Sequence, residues 1–298
     1  MSVFTSLPRL AGIRPPMWRA PKSGWAGSRP GPSTRICKRR HWAIMSVQTK
    51  YQDLKPAYDR DGFVVVRNFL EAGELAELSQ NLDRYIREVV PTLPPTAAFY
   101  QDRARLETLK QMQHMGVDPF FRDYPRRAKW VALGQTLVGE PVSCDAPEWF
   151  NKPPNTEHPT PPHQDNYYFC LAPPQVVTIW VALEKVDEEN GCLRYVRGSH
   201  QGGIRPHGPS KVLGFSQAIT DYGEADRALE VCMYLEPGDA VAHHGNTIHR
   251  ADPNRSASRH RRAFAMVYKG NSCRRDEEAF DRYQRSVQSQ HKALGNTN

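Results

Sequence analysis

The chain has no run of about 18 or more apolar residues, so no membrane-spanning helix is expected. Its six cysteines (Cys37, Cys144, Cys170, Cys192, Cys232, Cys273) form no CxxC pair and no zinc-like spacing, which argues against a structural zinc site and a disulfide framework. No convincing secretory signal is present, so the thiols read as reduced, buried small hydrophobes in a cytoplasmic protein. Acidic residues are absent from residues 1–44, which hold nine Lys or Arg. The formal charge of +8, less those nine, leaves −1 for everything from Met45 onward. The basic character belongs to the tail, and the near-neutral body gives no support for a nucleic-acid partner. No internal repeat is evident.

The tail is rich in Pro, Gly and Ser, lacks periodicity, and reads as disordered. Three accounts of it compete. An Arg-rich, acid-free segment resembles an organelle transit peptide, although its prolines spoil an amphipathic helix. It also suits a basic arm for an anionic partner. The third account takes Met45 as the true start, with residues 1–44 as upstream sequence. On each account, function is to be read from residues 45–298.

The body from Met45 is long enough to bury a substantial core, with 39% of the whole chain apolar. Asp59-Arg-Asp-Gly62 is a turn signal leading into a β-branched strand, Phe63–Val66. From Glu71 to Val90 the residues Leu75, Leu78, Leu82, Tyr85, Ile86 and Val89 recur at helical spacing, until Pro91 stops them. Residues 100–139 read as mostly helical, interrupted at Pro119 and Pro125, which gives a helical layer with one early strand. After Pro141 short strands alternate with turns: Glu148–Lys152, Gln164–Leu171, Val176–Leu183, Cys192–Val196, Ala240–His244 and Arg262–Lys269. That rhythm predicts a sandwich or small barrel, not a doubly wound sheet. The stretch from Asp276 reads as a polar, peripheral helix.

The chemistry centres on His163-Gln164-Asp165. His249 lies 84 residues after the aspartate, and Arg261 a further 12 on. On an extended strand His163 and Asp165 point the same way and Gln164 points the other. A second imidazole from a returning strand completes a 2-His-1-carboxylate facial triad, which leaves adjacent positions open on Fe(II). HxD alone arises often by chance, and a surface strand with two polar residues is its bland reading. Arg261 suits an organic acid bound nearby, because a guanidinium grips a carboxylate bidentately. It shares a strand face with Ala263, Ala265 and Val267, which leaves room for such an acid; a strand-end arginine in solvent is the competing reading.

Asn151-Lys-Pro-Pro, His163-Gln-Asp, Trp180, Glu189-Asn-Gly-Cys-Leu193, Gly198-Ser-His200, Gly238-Asp239 and Ile248-His249, with Asn254 and Arg261-Arg-Ala, occur in this order. Together with Asp61-Gly-Phe-Val-Val-Val-Arg-Asn-Phe69, they resemble the phytanoyl-CoA dioxygenase family over residues from about 60 to 270. The resemblance implies a mainly β fold, a double-stranded β-helix (a jelly-roll or cupin-like barrel) supported by N-terminal helices. It implies that residues 45–298 form one dioxygenase domain using Fe(II), 2-oxoglutarate and O₂ on a small organic substrate. By it, His163, Asp165 and His249 are iron ligands, Arg261 anchors the far end of 2-oxoglutarate, and Lys152 and Trp180 stand on the co-substrate side. A carboxylate at 165, where related halogenases have a small residue, implies hydroxylation.

Two departures from the family pattern stand out. Ala251 replaces a frequent serine two residues after the second metal histidine, and the interval from His249 to Arg261 is one residue longer than is usual in the family, which leaves Arg259 as an alternative anchor. His243 and His244 lie near the metal strand and are both competing ligands; His244 matches a family position and reads as supporting the metal site or as structural. His200 reads as capping a turn. Tyr167, Tyr168 and Phe169 suit either a pocket wall or the core. Lys110, Gln111 and Gln113 suit either a wall facing a polar substrate or a solvated helix face, the latter being the preferred reading. The alternative function is a catalytically silent module that binds metal and 2-oxoglutarate as a sensor or scaffold.

Overall fold

The computed structural model describes residues 50–210 and 217–293, so the expectations about residues 1–44 lie outside the described residues. Twelve strands build two antiparallel sheets. The first five are β1 (Phe63–Val66), β2 (Ala98–Tyr100), β3 (Leu109–Met112), β4 (Val142–Ser143) and β5 (Glu148–Lys152). They are followed by β6 (Thr160–His163), β7 (Val176–Ala182), β8 (Leu193–Val196) and β9 (Glu230–Cys232). The last three are β10 (Ala240–His244), β11 (His249–Ala251) and β12 (Arg261–Gly270). The larger sheet runs β1-β10-β7-β12-β5-β3-β2, with β4 also on β12; the smaller runs β9-β8-β11-β6. The two sheets pack face to face through Trp180, Val241, Ala263 and Ala265 from one and Leu193, Tyr195 and Ala251 from the other. The expected mainly β fold is present, but its sheets do not close into a barrel.

β7 explains the layering. All seven of its residues are buried, which a strand achieves only when both faces are covered. Val177, Ile179 and Val181 face outward into a core shared with helices α1 (Lys55–Asp61), α2 (Ala72–Arg84) and α3 (Ala128–Val138). Thr178 and Trp180, on the alternate positions, face the smaller sheet. In α2 the buried Leu78 and Leu82 stand one turn apart, and the Glu74 carboxylate accepts the backbone N–H of Glu71 at 2.9 Å to start the helix. Phe264 of β12 is fully buried and edge-on to Tyr124 and Trp130, with ring centroids 5.3 and 6.1 Å away. Burying a side chain of that size contributes about 1.5–3 kcal/mol. Gly62 turns α1 into β1 at φ 84°, and a Cβ there would meet His200 Nδ1 at 2.5 Å and Thr247 Oγ1 at 2.6 Å. Only glycine fits both the dihedral and the space.

Three expectations need correcting. The stretch taken as helical around residues 99–115 is instead the β2–β3 hairpin, docked on the edge of β5. Its pairing runs Phe99 to Gln111 and then Tyr100 to Leu109, so Lys110 is an extra residue on one strand. The bulge interrupts the alternation of sides. Leu109 and Met112 both reach the core, at a spacing of three that mimics a helix. The strand expected over Gln164–Leu171 is helix α4 (Asp165–Phe169). Helix α5 (Glu277–Ala293) is not peripheral: its buried Tyr283 packs at 5.8 Å against both Tyr167 and Tyr168 of α4.

No described helix is long and apolar enough to cross a membrane. Five cysteines are free among the described residues; Cys170 and Cys192 are buried, while Cys144, Cys232 and Cys273 are only partly so. The thiols of Cys192 and Cys232 are in contact at 2.7 Å, a pairing that their separation in sequence does not reveal.

Candidate metal centre

β6 and β11 pair so that His163 stands directly opposite His249, with ring centroids 4.1 Å apart. Gln164 continues the extended chain at φ −125°, ψ 126° before α4 begins, so Asp165 still emerges on the side of His163 although no strand runs through it. His163 and His249 Nε2 each lie 3.6 Å from Asp165 Oδ1. One ligand atom from each of the three residues lies within 4.8 Å of the others. All three line a cavity of about 560 Å³.

Hydrogen bonds fix the orientation and tautomer of each donor. The Nδ1–H of His163 donates to Pro161 O at 2.8 Å, and that of His249 to Thr247 O at 3.0 Å. A carbonyl only accepts, so each imidazole is left with a lone pair on Nε2, facing Asp165. Asp165 Oδ2 accepts from Thr178 Oγ1 at 2.7 Å and from His243 Nε2 at 3.0 Å. His243 Nδ1 in turn accepts from the Tyr195 hydroxyl at 2.9 Å. That chain occupies Oδ2 and leaves Oδ1 toward the two imidazoles. Burial alone would raise the Asp165 carboxyl, yet the surrounding His249, His243 and His163 and the hydrogen bond from His243 hold it well below the usual carboxylate range. Burial pushes both His163 and His249 down. Neutral imidazoles beside an ionised carboxylate are the states that a divalent cation requires.

Sequence reasoning missed Thr178 and Tyr195, and it named His243 only as a competing ligand while giving the supporting role to His244. His243 and His244 are consecutive on β10 and therefore face opposite ways. His243 reaches Asp165, whereas His244 accepts from the Asn246 N–H at 3.0 Å and lies near Tyr58. Alternation from the buried Val241, which faces the smaller sheet, is the signal that would have picked His243. His200 bonds Asp59 O through Nε2 at 3.1 Å, joining its turn to α1. Gln164 is fully buried; its amide donates to Gly203 O and Asn246 O and accepts from the Arg205 N–H. It braces the loops behind the site.

On the larger sheet, across from the two histidines, Arg261 pairs in register with Lys152. Arg261 is buried on the cavity wall, its guanidinium 5.4 Å from the Trp180 ring centroid, and its Nε has no hydrogen-bond partner. Burial pushes it down to about 10, so it stays charged at neutral pH. Lys152 Nζ donates only to His158 O, at 3.1 Å, and burial, followed by the charges of Arg261 and Lys110, holds it well below the usual lysine range. Arg259, the alternative anchor, is spent at the surface, bidentate to Asp187 and paired with Glu189. Buried cations with an unmet donor in a cavity suit a carboxylate ligand. Gly191 sits at φ 86° against Asp252 O and the Lys152 stem, where a Cβ would come within 2.6 and 3.1 Å; the Glu189-Asn-Gly turn thereby packs onto Lys152.

Lys110, Gln111 and Gln113 also line this cavity, so they are not a solvated face; the bulge turns Lys110 and Gln111 inward together. Tyr168 and Phe169 line it as well, while Tyr167 stacks on His207 at 3.9 Å.

The family model described as "Phytanoyl-CoA dioxygenase (PhyH)" matches residues 58–263. The peroxisomal phytanoyl-CoA dioxygenase of Rattus norvegicus is 25% identical over 266 residues, spanning 83% of this chain and 76% of that protein. A probable phytanoyl-CoA dioxygenase of Caenorhabditis elegans is 29% identical over 230 residues, 71% of this chain and 72% of its own. Among solved structures, EvdO2 from Micromonospora carbonacea var. aurantiaca superposes with a TM-score of 0.58 at 25% identity, covering 72% of this chain and 88% of that one. EctD from S. alaskensis, solved with 2-oxoglutarate and 5-hydroxyectoine, has a TM-score of 0.60 at 17% identity, covering 74% and 76%; at that identity it supports the fold alone.

Proposed function

This chain belongs to the phytanoyl-CoA dioxygenase family, and from that premise we propose that it is a non-haem Fe(II)- and 2-oxoglutarate-dependent dioxygenase that hydroxylates a small organic molecule. The observation that carries the reading is the convergence of His163, Asp165 and His249 within 4.8 Å on the wall of the cavity. Those three residues hold the iron. Arg261 takes the far carboxylate of 2-oxoglutarate, Lys152 adds positive charge, and Trp180 forms the flat wall beside them. Iron with 2-oxoglutarate supplies the activation of O₂, with succinate and CO₂ as co-products. The chain's own part is to orient and to exclude water. Thr178 and His243 fix the carboxylate, while Phe99, Phe150, Tyr168 and Phe169 give the cavity an aromatic lining. The free thiols suit a reducing compartment such as the cytoplasm.

Incubation with Fe(II), ascorbate, 2-oxoglutarate and O₂ should release succinate even without added substrate, and omission of iron or O₂ should abolish it. Metal and 2-oxoglutarate binding with no succinate would leave only the silent binding module. A second expectation concerns Thr178. Thr178→Val keeps the shape but removes the hydroxyl donor to Asp165, so Fe(II) affinity should fall by about 10–100-fold. Anaerobic iron titration of the variant checks this; an unchanged affinity would mean that His243 alone orients the carboxylate.

A further inference from the structure

Glu148 opens β5 on the face that also carries Phe150 and Lys152, and all three line the cavity. Its register partner is Ala265, which in turn opposes Trp180. Glu148 and Trp180 thus share one cross-strand row, with only a methyl group between them. Of the cavity's basic groups, the exposed Arg103 donates to Pro95 O, and the others gather elsewhere. Lys152 lies four residues further along β5, about 13 Å at strand rise, and it pairs with Arg261 and feels the charge of Lys110. The cavity therefore has a cationic end and, separately, a carboxylate.

That carboxylate has almost nothing to hold. Among the described residues its one hydrogen bond comes from Gln111 Nε2, at a long 3.4 Å, and no Lys or Arg makes an ion pair with it. Lys110 is shifted by burial alone, with no acidic neighbour contributing, so it is not a hidden counter-ion. Asp165, the other acid of the cavity, is fully engaged by Thr178, His243 and the ligand imidazoles. Burial, opposed by the Gln111 hydrogen bond and reinforced by the charge of Asp165, pushes the Glu148 carboxyl up to about 7. A carboxylate on a half-buried wall is costly unless a cation or donor meets it. The aromatic rings around it add faces that favour a cation over an anion.

We infer that Glu148, supported by Gln111, is the specificity-determining anchor for a cationic nitrogen, so that the molecules oxidised here are amines. This rests on the reading of the cavity as an oxidation site, with 2-oxoglutarate at the Arg261 end. The two ends then divide the work: the basic end takes the dicarboxylate co-substrate, and the acidic wall takes the substrate's ammonium group.

The test uses the full chain loaded with Fe(II) and 2-oxoglutarate under nitrogen, titrated calorimetrically with three probes on one skeleton: 2-phenylethylamine, 2-phenylethanol and phenylacetate. The amine should bind about tenfold or more tighter than the alcohol, and the acid weakest, as expected for a hydrogen bond to a charged group. Glu148→Gln should bring the amine to within about threefold of the alcohol. Glu148→Lys, if its melting curve shows it folded, should reverse the order in favour of phenylacetate. An amine no tighter than the alcohol, or undetectable binding of the amine, overturns the inference; so does a Glu148→Gln protein that keeps the preference. Preference for the alcohol would identify a neutral hydroxyl substrate instead. Because binding is read without turnover, failure of the dioxygenase reading shows separately, as a parent protein that releases no succinate in air.

Discussion

Asp165→Ala should abolish succinate release and weaken Fe(II) binding by more than the 10–100-fold typical of losing a residue that merely orients a ligand. Asp165 provides the only anion of the three donors, and it holds the site together sterically. Its Oδ1 faces both imidazoles at 3.6 Å, while its Oδ2 receives Thr178 and His243. Alanine removes the charge that offsets a divalent cation and leaves two donors pointing into the gap. The histidines keep their backbone hydrogen bonds, so circular dichroism should report an intact fold. Anaerobic iron titration and a succinate assay measure the two effects. Succinate release at the parental rate would show that the metal sits elsewhere.

Arg261→Met is expected to separate function from stability, moving them in opposite directions. In the free protein the guanidinium is buried, has no ion pair among the described residues, and leaves Nε without an acceptor. Methionine has similar length and no charge, so the free variant should melt at or above the parental temperature, as buried charges replaced by apolar groups often do. Its affinity for 2-oxoglutarate should nevertheless fall by about 2–5 kcal/mol, roughly 30-fold to several thousand-fold, because a desolvated partner of the carboxylate is gone. Melting curves with and without 2-oxoglutarate read both at once: the ligand should raise the parental melting temperature and leave the variant's unmoved. Equal ligand stabilisation in both proteins would move the anchor away from Arg261.

Much of the fold and of the candidate metal centre was legible in the residues. Phe63–Val66 and Ala240–His244 form as the turn signals and β-branched runs predict, because local propensity and burial agree there. The metal residues were legible because HxD needs only an extended peptide at Gln164, regardless of the structure beyond Asp165. The structure beyond Asp165 was not legible. Asn166-Tyr-Tyr-Phe169 has a strand's composition, yet it coils into α4 because Tyr283 of a distant helix offers its aromatic residues a packing surface; tertiary contact overrides preference. The bulge at Lys110 hid β3 for a different reason, since one inserted residue turned alternation into apparent helical spacing. Glu148 could not be read at all. Its significance lies in the absence of a neighbouring cation, and a linear sequence does not display absences in space.

The antiparallel ladder that sets His163 opposite His249 also bears on how such a chain tolerates change. Backbone hydrogen bonds between two adjacent strands dictate the separation of the imidazoles, and no loop takes part. Of the chain between them, β8 must stay as the neighbour of β11 and Thr178 and His243 as partners of Asp165, whereas the connections between those strands, such as the ribbon at His207–Pro209 and Gln217–Ile219, can change length without changing the pairing of the two rings. Residue counts between the ligands are therefore poor markers of this kind of centre, and insertions there offer a route to new substrate ranges that leaves the metal chemistry untouched.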